Sequence, residues 1–124
     1  MNSKELALIA AEAAEGKKAV DVVVLDLQGI TIIADYFLIC AGNSSTQVEA
    51  IANAIDDSLN EKKVFVLRRE GLRDGKWVLL DYGSVVVHIF QAQEREFYSL
   101  ERLWGDAKVI YPEKQINSMS EVKE

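Results

Sequence analysis

The sequence predicts an α/β (α+β) fold, a mixed sheet of about five strands with three helices packed on it. Three observations predict it. Segments 20–27, 36–41, 64–68 and 84–90 are strand-length runs rich in β-branched and aromatic residues. Segments 3–15 and 45–61 instead repeat apolar residues at helical spacing. The elements interleave as α-β-β-α-β-β-β-α within 124 residues, the size of one domain.

Each element has a local reason. In segment 3–15, Leu6, Ile9, Ala10 and Ala13 share one helical face, and Gly16 supplies a stop. Segment 20–27 is apolar on both faces, which predicts a strand covered on two sides, and Gln28-Gly29 breaks it. Segment 36–41 is the second strand. Gly42-Asn43-Ser44-Ser45 then opens a helix running to about Glu61. Ser44 with Gln47, and Thr46 with Glu49, both match a capping box. Val48, Ile51, Ala52, Ile55 and Leu59 form its buried stripe. Segment 64–68 is a third strand, and 68–73 reads as an exposed connection. Asp74-Gly75 starts a hairpin of strand 76–81, a Tyr82-Gly83 turn and strand 84–90. Segment 94–104 follows as a helix with Phe97, Leu100 and Trp104 on its stripe. Residues 109–111 add a short extended segment before Pro112, the sole proline. The domain is expected to span 1–112, and the polar segment 113–124 is expected to be a disordered tail.

Composition narrows the function classes. At 49% apolar and 27% charged residues, the chain has enough to bury a core without disulfides or metals. The lone cysteine, Cys40, lies in the apolar run YFLICA and reads as a small buried hydrophobe. A net charge of -6 argues against a phosphate-tracking nucleic-acid binder and suits a basic protein partner. The apolar runs are too short to span a membrane. Glu5, Glu12 and Glu15 argue against a signal or transit peptide, so the cytoplasm is the expected compartment.

Four constellations invite a chemical reading. The strand–Gly–Ser–helix turn at 42–45 resembles those that hold nucleotide phosphates. Nucleotidyltransferases also need carboxylates on the next strand for magnesium, and VFVLR has none. Asp26 and Asp35 form no D-x-D pair, so ordinary helix capping is the favoured reading, with a nucleotidyltransferase as the alternative. His88, the only histidine, has no Cys or second His nearby to complete a zinc site. It reads as a half-buried structural or interface histidine. On strand 76–81, Trp77, Leu79 and Asp81 alternate onto one face while Val78, Leu80 and Tyr82 take the other. Aromatic strand residues are usually core. Three helices are few for about five strands, however, and an open Trp77 face rimmed by Asp81, Glu70 and Asp35 would suit a basic partner. Arg68, Arg69 and Arg73 form the only basic cluster. Glu70 and Asp74 interleave it, which favours a solvated loop over an rRNA contact.

Several blocks occur in a characteristic order: DVVVLDL from Asp21, ADYF from Ala34, CAGNSS from Cys40 and Glu70-Gly71. WVLLDYG from Trp77, VVHIF from Val86 and REFYSLERLW from Arg95 follow. In that order and spacing the chain resembles the ribosomal silencing factor family, the RsfS or Iojap proteins. Ala41 stands where the family often has Thr or Ser, a mild departure. The resemblance implies a nucleotidyltransferase-like fold without the catalytic carboxylates, no enzymatic activity and no cofactor. It implies binding to the large ribosomal subunit through ribosomal protein L-fourteen. That binding would block small-subunit joining by steric occlusion and damp translation when nutrients are scarce. It further implies a homodimer when free. The net negative charge itself predicts little direct rRNA contact and no DNA partner, and the short apolar runs predict no membrane partner. On this resemblance the contact surface comprises Trp77, Leu79, Asp81 and Tyr82, with Glu70 and Asp35 at its rim and His88 beside it. A purely structural homodimer remains a third reading of the same exposed face.

Overall fold

The computed structural model describes residues 1–93, 105 and 107–112. Its elements are α1 (Ser3–Gly16), β1 (Val20–Asp26), β2 (Tyr36–Gly42), α2 (Ser45–Glu61), β3 (Arg68–Glu70), β4 (Trp77–Asp81), β5 (Val85–Gln91) and β6 (Lys108–Tyr111). The strands form one six-stranded sheet in the order β3-β4-β5-β2-β1-β6. β2 and β5 pair parallel, and the other neighbours pair antiparallel. The mixed α+β architecture is therefore as expected, with one more strand than about five. The short segment expected at 109–111 is β6, hydrogen-bonded to β1. The helix expected at 94–104 and the tail at 113–124 lie outside the described residues.

Both helices begin on side-chain caps. Asn2 accepts from the Glu5 amide at 2.8 Å, and Ser44 accepts from the Gln47 amide at 3.1 Å. Gln47 Oε1 in turn accepts from the Asn43 amide at 2.6 Å, so the capping expected at 42–45 is reciprocal. The α2 stripe matches expectation, with Val48, Ile51, Ala52, Ile55 and Leu59 all buried. In α1 the buried side is Leu6, Ala7, Ala10, Ala11 and Ala14, rotated from the expected stripe. Alanine has no bulk to hold a helix away from its neighbour, so close approach to α2 and the sheet selects the alanine face. The left-handed residue that turns the chain after α1 is Lys18 at φ 61°, two positions beyond Gly16.

Alternation along the strands splits the core in two. One cluster joins α1 and α2 to Val22, Val24, Leu38, Cys40, Val78, Leu80, Val87 and Ile89. The other lies on the opposite sheet face around Leu25, Phe37, Ile39, Val86 and Phe90, with Trp77 and Leu79 partly buried against it. β1 is covered on both faces, as its double-sided apolarity implied.

The third strand departs from expectation. β3 occupies Arg68–Glu70, within the stretch read as an exposed connection, while 64–67 lies outside the ladder. Val64 and Val66 pack partly against the helix-side core, whereas Phe65 and Leu67 are exposed. The charged triplet forms the strand because it pairs with β4, Arg68 opposite Asp81 and Glu70 opposite Leu79. Arg69 is also tied to Asp56 of α2.

Candidate partner-binding face

The register of β4 and β5 assembles the Trp77 face. Trp77 sits opposite Phe90 and Leu79 opposite His88, while Glu70 of β3 sits opposite Leu79. Residues directly opposite share a sheet face, so these side chains converge on the side away from α1 and α2. The Trp77 and Phe90 ring centroids are 5.0 Å apart, and Phe37 meets His88 edge-on at 4.6 Å. The Trp77 indole Nε1–H donates to His88 Nδ1 at 3.2 Å. Glu70, Gly71, Trp77 and Leu79 line a cleft of about 240 Å³.

The connection from β3 to β4 shapes this cleft. Gly71 and Gly75 have φ of +83° and +66°, and the Gly75 amide donates to the Gly71 carbonyl at 3.0 Å. That tight loop sets Glu70 beside Trp77. The glycines are required there, because only glycine enters the left-handed region without a Cβ penalty.

The expected site residues do not all meet. Trp77, Leu79, His88 and Glu70 come together. Asp81 lies at the end of the same face, but its carboxylate caps the following turn by accepting from the Gly83 amide at 2.8 Å and stands 4.0 Å from Arg68. Tyr82 is elsewhere: alternation turns it onto the helix-side face, where it is buried and donates to Asp56 Oδ1 at 2.8 Å. Burial and that bond push its phenol well above the usual range. Asp35 also points away from Trp77. Its carboxylate faces Ser3 of α1 at 3.5 Å, and its amide donates to the Ser84 carbonyl at 2.8 Å. The basic cluster is largely engaged, with Arg68 3.1 Å from Glu70 and Arg69 paired with Asp56. Sequence reasoning missed the Asp56–Tyr82–Arg69 network. The one signal was an acidic residue inside the apolar stripe, between Ile55 and Leu59.

His88 is only 5% exposed, and burial lowers its pKa from 6.5 to about 4. The imidazole is therefore neutral in the fold at physiological pH, which leaves Nδ1 free to accept. The sign of the pH dependence follows. Between these values the unfolded chain binds a proton that the folded chain does not. Stability in this contribution is flat above pH 6.5 and falls as pH drops toward 4, by up to roughly 3 kcal/mol. Urea unfolding across that window is expected to show the fall. The fall should shrink by this share in His88→Leu, since the chain has no other histidine.

Comparison with known proteins places this geometry. The family model described as ribosomal silencing factor during starvation matches residues 1–124. A Bacillus subtilis protein named ribosomal silencing factor RsfS is 51% identical over 107 residues, covering 86% of this chain and 91% of its own length. The chloroplastic protein Iojap of Zea mays is 37% identical, covering 81% of this chain and 43% of its own. A crystal structure from Chromobacterium violaceum is similar at a TM-score of 0.82 and 37% identity, covering 85% of this chain and 88% of that one. One from Bacillus halodurans is similar at a TM-score of 0.74 and 45% identity, covering 82% and 95%.

Proposed function

We propose that this chain, which belongs to the ribosomal silencing factor family, represses translation by docking its Trp77 face onto the large ribosomal subunit and sterically blocking the small one. Its role in ribosome silencing comes with the family. The observation supporting the finer reading is the cleft itself. Trp77 and Leu79 are half-buried on an apolar sheet face, and exposed Glu70 stands at their edge. Aromatic anchors in such settings carry a large share of interface energy. The net charge of -6 favours a basic protein surface and disfavours bare rRNA. Ribosomal protein L-fourteen is the proposed contact, and the cytoplasm the proposed compartment. No chemistry is required, because a folded body at an intersubunit bridge position excludes the other subunit by volume.

In the free protein the same face is proposed to hold a second copy, which makes dimer and ribosome complex mutually exclusive. The 42–45 turn gains no support as a nucleotide site. Its Asn43 amide and Ser44 hydroxyl are committed to capping α2.

Sucrose-gradient sedimentation with isolated subunits tests the reading. The protein is expected to travel with the large subunit and to lower the joined-subunit peak. Trp77→Ala should weaken large-subunit binding by about 30-fold or more, the loss of an anchor worth about 2 kcal/mol. Undiminished co-sedimentation of a folded Trp77→Ala protein would remove this face from the interface.

A further inference from the structure

We propose that His88 is the positioning residue of the docking face, holding the Trp77 indole in one orientation by accepting its Nε1–H. This inference rests on the reading of the Trp77 face as the docking surface. Trp77 lies opposite Phe90 and His88 opposite Leu79, so the two rings are diagonal neighbours across the β4–β5 ladder. Their centroids are 6.0 Å apart, and the indole nitrogen reaches His88 Nδ1 at 3.2 Å. His88 is itself fixed, with Phe37 edge-on at 4.6 Å and Phe90 stacked at 9° and 6.4 Å. An immobile acceptor at this distance fixes which way the half-buried indole nitrogen points.

The protonation pattern argues for this role. If Nδ1 accepts, the proton of the neutral ring sits on Nε2. Nε2 is buried without a hydrogen-bond partner among the described residues. A buried donor left unmatched costs free energy; leucine at the same place would avoid that cost but take the acceptor from the Trp77 indole. The fold tolerates that cost beneath Trp77, within the cluster that supports the cleft. Burial also keeps the ring neutral, and the imidazolium would lose the acceptor on which the indole depends.

The consequence concerns the partner. With its N–H directed inward, Trp77 offers an apolar ring that requires no acceptor from the other side. The matching site is an apolar pocket, and Glu70 beside it is already paired with Arg68 at 3.1 Å. An anchor held in place before docking also loses less freedom on binding.

The test compares His88→Leu with His88→Asn in the full chain. Asparagine places Oδ1 off Cγ where the imidazole has Nδ1, so it restores the acceptor, whereas leucine fills the space without one. In His88→Leu, the Trp77 indole N–H resonance is expected to move upfield and large-subunit affinity to fall by about 10-fold, while the melting temperature at pH 7 holds or rises. His88→Asn should return the resonance and recover most of the affinity. Nitrogen NMR of the unsubstituted protein should find the ring proton on Nε2, a reading independent of whether either variant folds. A proton on Nδ1, an unmoved indole resonance in His88→Leu, or equal affinities of the two variants would overturn the inference. If Trp77→Ala loses binding and His88→Leu does not, this inference fails alone. If Trp77→Ala binds fully, the docking reading fails and takes this inference with it.

Discussion

Arg69→Ala is expected to destabilise the fold by about 3 kcal/mol, more than a surface arginine normally contributes, because it strands the Asp56 carboxylate. Asp56 projects from α2 into the helix-side core with its side chain 10% exposed. It accepts from Tyr82 at 2.8 Å and pairs with Arg69, whose side chain is 44% exposed. Removing the guanidinium leaves a buried charge with one neutral donor. The exposed side of Arg69 places the cost toward the lower end of what breaking a buried pair brings. A double-mutant cycle by urea denaturation checks the argument. Asp56→Asn should recover a large part of the loss in the Arg69→Ala background, since no charge then remains to be stranded. Equal, additive losses would show that Arg69 acts through packing alone. The pair also joins β3 to α2, so amide exchange at Arg68–Glu70 should accelerate in Arg69→Ala.

That network marks where sequence reading stopped. The α2 stripe was legible because large apolar residues repeat at a period that only a helix satisfies. The buried side of α1 was not, because alanine is weakly hydrophobic and its burial depends on how closely a neighbour approaches. β3 was misplaced by a few residues for a related reason. Val64 and Val66 looked more strand-like than Arg68 and Arg69, and no local pattern reveals that Asp56 waits across α2 for the second arginine. Alternation correctly separated Trp77, Leu79 and Asp81 from Tyr82. Drawing Tyr82 back into the contact surface went against that alternation, and the structure places it beside Asp56 on the other face. Asp35 was counted at the rim as an acidic residue that would suit a basic partner. Its direction is set by Ser3 and Ser84, partners 32 residues away and beyond. The Trp77–His88 bond depends on strand register, which the two strands settle only when paired. Elements were thus legible from local periodicity, while the site emerged from pairings between distant segments.

Gly71→Ala is expected to be the most damaging single-methyl change in the described chain, costing about 4 kcal/mol and opening the cleft at the same time. Two costs coincide there. The backbone sits at φ +83°, where a Cβ is strained, and an ideal Cβ would lie 1.9 Å from the Trp77 carbonyl oxygen and 2.9 Å from its carbon. Backbone atoms of a paired strand cannot swing aside as a side-chain tip does. The 71–75 loop must lift from β4, separating Glu70 from Trp77 and breaking the Gly75 to Gly71 hydrogen bond. Gly29→Ala isolates the conformational part, since Gly29 has φ +81° and nothing within 4 Å of the added methyl. It should cost only about 1 kcal/mol and leave ribosome binding intact. The difference between the two variants in urea midpoint reads the collision, and their difference in large-subunit affinity reads the dependence of docking on the Glu70–Trp77 spacing. Equal midpoints would show that the loop accommodates a methyl without moving β4. A Gly71→Ala protein that stays folded and binds fully would show that docking tolerates an opened cleft, and would move the anchor away from Glu70.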